Sequence, residues 1–461
     1  MSKVSTGLPG LDTILKGGLL PEASYLIRGR PGMGKTTLGL HFLSAASEGE
    51  PALFIGFQES DTQVRRNANT IGLDVSGLHF LSLSPDEHFF SQAEKYDVFA
   101  SSDVEHAPLS GAIVEAVERL KPKRVFIDSL TQFRFLSADV FQYRKEVLSL
   151  ISFLTSRGVT VLFTSEHSPS TPDDDLQFLA DGVIALRQED LGQEICVEKF
   201  RGSGFFSGCH QMRNGRYGIE IFPRPIPPKE EISEGRFTAF STGLPELDQL
   251  LGGGLEMGTI TMISGPSGIG KSTLSSCIAT ETAHNLGHTA VYLFEEEISS
   301  YLHRAQKLDI EVGMALERGT LSVDQIEPLR YLADEFASIV YQDVLESGTK
   351  MVVFDSTAGF ELTLSEGALK DRLHALSKSL SRMNISVLLI NETSGRFGDN
   401  GLSEKGISYL SDNVINLWHG RGVDGDQAHL QVSKKRLSNC DKTPHIYRVG
   451  PHKVNIVPLD S

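Results

Sequence analysis

A chain of 461 residues, 40% hydrophobic and 22% charged, exceeds one ordinary core and suits two or three globular domains. Its net charge of −16 argues against a surface built for nucleic-acid phosphates, although a local basic groove stays compatible with it. There is no run of eighteen apolar residues, and Met1–Ser5 carries no signal-peptide core, so a cytoplasmic protein is expected. Cys196, Cys209, Cys277 and Cys440 lack C-x-x-C spacing. They imply neither a disulfide framework nor a zinc site, and reduced thiols are expected.

The chain opens on Ser5-Thr6-Gly7-Leu8-Pro9-Gly10-Leu11-Asp12 and soon reaches Gly29-Arg30-Pro31-Gly32-Met33-Gly34-Lys35-Thr36. The second stretch is G-x-x-x-x-G-K-[ST], a P-loop. Its glycines turn backbone N–H groups onto phosphate, its lysine adds a point charge, and its hydroxyl binds Mg²⁺. Both stretches recur at one offset, as Ser241–Asp248 and as Gly265-Pro266-Ser267-Gly268-Ile269-Gly270-Lys271-Ser272. An offset this long marks a duplicated domain, since solenoid repeats have periods of about 20–50 residues. Between the copies, Pro223–Glu231 holds four prolines and a charge run, a semi-rigid linker. The expected organisation is a first domain over 1–222, a linker over 223–236 and a second domain over 237–461.

Short apolar runs alternate with amphipathic segments in each copy. Strands are predicted at Tyr25–Arg28, Leu53–Phe57, His79–Leu83, Val125–Asp128, Val159–Thr164 and Val183–Leu186. The second copy offers Thr259–Ile263, Ala290–Phe294, Met351–Asp355, Ser386–Ile390 and Val414–Trp418. Helices follow the P-loops, with inward positions at Leu38, Phe42 and Ala45 and at Leu274, Ile278 and Thr282. Near-continuous apolar strands between helices predict an α/β fold with a mainly parallel sheet buried on both faces. Ligands bind such sheets beyond the carboxyl ends of the strands, where the P-loops fall.

Three further elements carry chemistry in both copies. Strands ending at Asp128 and Asp355 place a carboxylate beside Mg²⁺, so Thr36, Asp128, Ser272 and Asp355 form the expected metal set. Strand ends at Gln58-Glu59 and Glu295-Glu296 can polarise a nucleophile opposite the γ-phosphate, although an acidic surface loop has the same composition. Near each domain's end, Lys199-Phe200-Arg201 with Ser203, and Lys434-Lys435-Arg436, carry cations at K-x-R spacing. Strand alternation sets these on one face, as a phosphate clamp requires and as a charged edge strand also shows. Expected catalytic residues are thus Glu59, Gln58, Glu295, Glu296, Lys35 and Lys271. Expected nucleotide contacts add Gly32, Met33, Gly34, Thr36, Thr37, Gly268, Ile269, Gly270, Ser272 and Thr273 to the two cationic segments. Trp418, the only tryptophan, is read as core packing.

These elements, in this order, resemble the RecA-type ATPases, and their tandem arrangement resembles the KaiC family of clock ATPases and autokinases. The resemblance covers nearly the whole chain. It implies two RecA-like P-loop domains, ATP and Mg²⁺ as cofactors, and a homohexamer with ATP between subunits. Lys199, Arg201, Lys434 and Arg436 would then reach a neighbour's γ-phosphate, and a KaiB-like protein is an expected regulatory partner. It also implies autophosphorylation in the second domain. Ser408 occupies the family's acceptor serine position, Tyr409 replaces the adjacent threonine, and Ser403 lies where a further threonine stands.

Two departures matter. Gln58 replaces the first of two family glutamates and cannot take a proton. First-domain hydrolysis is therefore expected to be slow or to depend on Glu59, and Gln58→Glu to raise it. The chain ends at Val457–Ser461 without the long family tail, which argues against a KaiA-type activator. The alternative function is a RecA/Rad55-like nucleic-acid-binding ATPase, for which Ser394–Asn400 is the best loop despite its single base.

Overall fold

The computed structural model describes residues 2–83, 102–131, 134, 137, 139–166, 173–189, 192–226, 237–327, 330–361, 366–393, 410–422, 425–450 and 453–459. The chain divides into two compact units, Met1–Pro223 and Arg224–Ser461.

In the first unit the strands are β1 (Ser24–Gly29), β2 (Ala52–Gly56), β3 (His79–Ser82), β4 (Arg124–Asp128), β5 (Thr160–Glu166), β6 (Gly182–Glu189), β7 (Gly192–Phe200), β8 (Cys209–Gly215) and β9 (Gly218–Phe222). They form one sheet in the order β3-β2-β4-β5-β1-β6-β7-β8-β9. Pairing is parallel from β3 to β6 and antiparallel from β6 to β9. The P-loop strand β1 is thus central, flanked by β5 and β6.

Alternation along these strands explains why they read as unbroken apolar runs. Tyr25 and Ile27 enter one core with Phe42, Phe54 and Phe126, while Leu26 enters a second core with Leu53, Ile55, Val125 and Ile127. Successive side chains therefore feed opposite faces, and both faces are covered by helices.

The second unit repeats this plan. A short ribbon pairs β10 (Ala239–Phe240) with β11 (Leu255–Glu256). The main strands are β12 (Ile260–Gly265), β13 (Thr289–Leu293), β14 (Leu321–Gln325), β15 (Met351–Asp355), β16 (Ser386–Glu392), β17 (Asn413–Gly422), β18 (Gly425–Lys435), β19 (His445–Gly450) and β20 (Lys453–Pro458). Their order is β14-β13-β15-β16-β12-β17-β18-β19-β20, with β12 in the place of β1. Val291 and Leu293 face one core while Ala290 and Tyr292 face the other.

The duplicated opening motif has a structural role in each unit. Asp12 accepts from Ser5 Oγ (2.6 Å), Thr6 N (2.8 Å) and Thr6 Oγ1 (2.7 Å). Asp248 accepts the same three bonds from Ser241 and Thr242 at the same distances. Gly7 between them has φ +76°, and a Cβ there would lie 2.3 Å from the His41 carbonyl oxygen, so only glycine fits. Because three donors lose a charged acceptor, Asp12→Ala should destabilise the first unit by about 2–3 kcal/mol, measured by urea unfolding.

One expectation about cysteine is corrected. Cys196 and Cys209 are directly opposed on β7 and β8 and form a disulfide. Pairing depends on strand register, which a separation of 13 residues does not reveal. Cys277 and Cys440 are free. Trp418 is half-buried and packs on His429 across the strand pair, ring centroids 5.5 Å apart, so its packing lies at the sheet surface more than in the core.

Candidate active sites

Each P-loop turns directly into a helix, Lys35–Ser44 or Lys271–Asn285. Gly32 and Gly34 have φ of +79° and +90°, and Gly268 and Gly270 have +75° and +102°, a left-handed geometry that aims consecutive N–H groups inward. Lys35 Nζ donates to the carbonyls of Gly29 (2.7 Å) and Arg30 (3.1 Å), and Lys271 Nζ to that of Pro266 (2.8 Å). The ammonium groups thus stay folded over the loops. Burial pushes both lysine pKa values down. Asp128 and Glu166 oppose this at Lys35, and Glu392, Asp355 and Glu295 oppose it at Lys271. Met33 and Ile269 are buried beneath the loops, and Thr37 and Thr273 sit in the first helical turn.

Asp128 ends β4 beside the P-loop, where Thr36 Oγ1 donates to its Oδ2 at 2.6 Å. A second hydroxyl, from Thr164, donates to Oδ1. At the equivalent place Asp355 lies beside Ser272, and its buried Oδ2 has no hydrogen-bond partner. Burial raises the Asp355 pKa to about 6. A buried, partnerless carboxylate oxygen next to a hydroxyl suits a divalent cation, so this donor set fits Mg²⁺.

The candidate bases differ between the units. Glu295 is exposed and accepts from Ser356 Oγ at 3.3 Å, whereas Glu296 is held by Arg304 at 3.0 Å. Burial raises the Glu296 pKa against that ion pair. In the first unit Gln58 Nε2 donates to Glu166 Oε1 at 3.2 Å.

The cationic segments lie elsewhere. Phe200 pairs with Gly182, which pairs with Tyr25, so the end of β7 is level with the start of β1. The P-loop begins at the other end of β1, four residues and roughly 13 Å of strand away. Val414 likewise pairs with Lys434 on one side and Met262 on the other, near the start of β12. Lys199 donates to the Gln177 and Ala180 carbonyls and Lys434 to that of Ser411. Arg201 and Arg436 are 60% and 48% exposed beside Asp181 and Asp412. Alternation turns the middle residue inward: Phe200 packs on Tyr25, and Lys435, 1% exposed, bonds Glu256 at 2.9 Å. Lys435 therefore faces the interior rather than a ligand. Ser203 accepts from Lys3 Nζ at 2.8 Å.

Against known proteins, the family model described as "ATPase: KaiC" matches residues 4–226 and again 240–461. The chain belongs to the KaiC ATPase family. A "Circadian clock oscillator protein KaiC" from Parasynechococcus marenigrum (strain WH8102) is 28% identical, aligning 96% of this chain with 88% of that protein. A "Circadian clock protein KaiC2" from Synechocystis sp. is 27% identical over 94% of this chain and 78% of its own. As in KaiC-family domains generally, the two units here are nucleotide-using ATPase domains, each a mainly parallel sheet between helices.

Sequence reasoning missed Glu166 and Glu392, which end the strands next to each P-loop strand and pair with Gly29 and Gly265. It also missed Arg304. The available signal was a glutamate at equivalent strand ends in both halves. Ser403, Ser408, Tyr409 and the 394–400 loop lie outside the described residues, as does most of the 223–236 linker. Among the described residues no helix is long and apolar enough to cross a membrane.

Proposed function

We propose that the chain is a ring-forming KaiC-type ATPase that hydrolyses ATP between subunits and phosphorylates its own Ser408. The observation that carries the interface reading is the placement of Lys199, Arg201, Lys434 and Arg436 at the end of the sheet opposite their own P-loops. Cations so placed serve a phosphate only when a second copy presents its P-loop to them, in a head-to-tail contact that closes into a ring. A hexamer is the ring size that the family resemblance implies.

Within a site, Lys35 or Lys271 and the inward N–H groups hold the triphosphate. Thr36 with Asp128, or Ser272 with Asp355, would hold Mg²⁺, which supplies charge neutralisation at the β- and γ-oxygens. In the second unit Glu295, free of the Arg304 pair that occupies Glu296, is the base that accepts the acceptor's proton. Glu296 and Arg304 set the position of that strand end. A KaiB-like regulator remains the proposed partner, and the acidic surface charge suits a protein rather than a nucleic-acid partner.

The deciding experiment is incubation of the full chain with ATP and Mg²⁺, followed by intact-mass and peptide mass spectrometry. One phosphate on Ser408, lost in Glu295→Gln, is the expected result. No phosphate under any nucleotide condition would leave an ATPase without the kinase activity.

A further inference from the structure

The first unit has a glutamine where the second has Glu295, so its proton acceptor is either Glu59, the next residue, or a carboxylate brought in from another strand. Gln58 follows β2, and Glu166 ends β5; β4 lies between them in the sheet. The 3.2 Å bond from Gln58 Nε2 to Glu166 Oε1 therefore bridges the carboxyl end of β4, over the strand that carries Asp128. Glu166 is anchored from beneath, because its backbone N–H donates to Thr131 Oγ1 at 2.9 Å and its residue pairs with Gly29 at the root of the P-loop. Its charge also acts on Lys35. Of the two bridged groups, it is Glu166 that stands toward the phosphate-holding lysine.

We propose that Glu166 is the general base of the first unit, with Gln58 as its water-orienting partner. This rests on the ATPase reading above. The amide nitrogen of Gln58 is committed to Glu166, which leaves its carbonyl oxygen to accept from a water. That water's oxygen attacks the γ-phosphorus and forms the new P–O bond. Its proton passes to the Glu166 carboxylate, and the bond from the γ-phosphorus to the bridging oxygen breaks with its electron pair staying on ADP. Inorganic phosphate leaves, and Glu166 returns the proton to solvent. The second unit does not need this arrangement, since Glu295 and Glu392 both lie near Lys271 and supply two carboxylates. The Gln58–Glu166 contact also reverses the expectation for Gln58→Glu. A carboxylate at 58 would face Glu166 across a hydrogen-bond distance, lose the bridge and repel its neighbour.

The test uses the full chain with Lys271→Ala to silence the second site, phosphate release for turnover, and titration with a fluorescent ATP analogue and Mg²⁺ for affinity. Glu166→Gln should lower kcat by about 100-fold. Nucleotide affinity should be unchanged or tighter, because a negative charge near the triphosphate has gone, and the melting temperature should be retained. Glu166→Asp should recover part of kcat, and Gln58→Glu should lower it. Turnover of Glu166→Gln within threefold of its parent overturns the assignment, as does a fall in kcat matched by an equal loss of nucleotide affinity. If the parent itself releases no phosphate while it binds the analogue, the ATPase reading of the first unit fails instead, and the two failures are distinct.

Discussion

Asp355→Asn is expected to make the nucleotide-free protein more stable while abolishing Mg²⁺-dependent turnover at the second site. The carboxylate is 7% exposed, one of its oxygens has no partner, and burial raises its pKa from 3.8 to about 6. For an acid whose folded pKa is raised, the folded state binds more protons than the unfolded state between the two values. Stability therefore falls as pH rises from about 4 to about 6, and the penalty is complete above that. Two pKa units correspond to about 3 kcal/mol at pH 7. Asparagine carries no charge to bury, so the second unit's melting temperature should rise by roughly 6–12 °C. The wild-type minus variant difference should shrink as pH is lowered below 6. Scanning calorimetry across pH 4–8 measures both. Turnover should fall by about 10²- to 10³-fold through loss of the charge that holds Mg²⁺. A variant no more stable than wild type at pH 7 would show that the buried charge is already compensated.

The same residue shows what the sequence could and could not convey. An apolar strand ending in aspartate, twice, next to two P-loops identifies Asp128 and Asp355 without coordinates. That Asp128 meets two hydroxyls while Asp355 keeps a partnerless oxygen depends on Thr164, whose counterpart on β16 is Ile390. The equivalence appears only once β5 and β16 are in register with β1 and β12. Phe200, expected among the nucleotide contacts, packs inward on Tyr25 instead. Alternation grouped Lys199 with Arg201. It could not say which end of the sheet they reach, because an antiparallel return along β7 reverses the direction of the chain. Glu166 was passed over because it closes a strand with no motif of its own, and its meaning comes from Gln58 across β4. The antiparallel extensions β8–β9 and β19–β20 went unread as well. Strands such as Cys209–Gly215, mostly polar, carry little of the apolar signal that marked the parallel strands.

Mixing two inactive variants is expected to restore activity, and the amount restored identifies the composite site. With first-unit turnover removed by Lys35→Ala throughout, a chain carrying Lys271→Ala keeps its strand-end cations and loses its P-loop lysine. A chain carrying Lys434→Ala and Arg436→Ala keeps the P-loop and loses the cations. Each alone should hydrolyse ATP at the second site at a few per cent of the parental rate or less, since a trans cation contributes about 10³-fold or more. If every site joins one subunit's P-loop to its neighbour's cations, random co-assembly in equal amounts makes about a quarter of the sites complete. Phosphate release from the mixture should then approach a quarter of the rate before either substitution. If the cations served their own chain's nucleotide across the roughly 13 Å of strand that separates them, no subunit in the mixture would hold a complete site. The mixture would then be as inactive as its components. The register of Phe200 with Tyr25 and of Lys434 with Met262, through Gly182 and Val414, makes that second outcome the one the fold opposes.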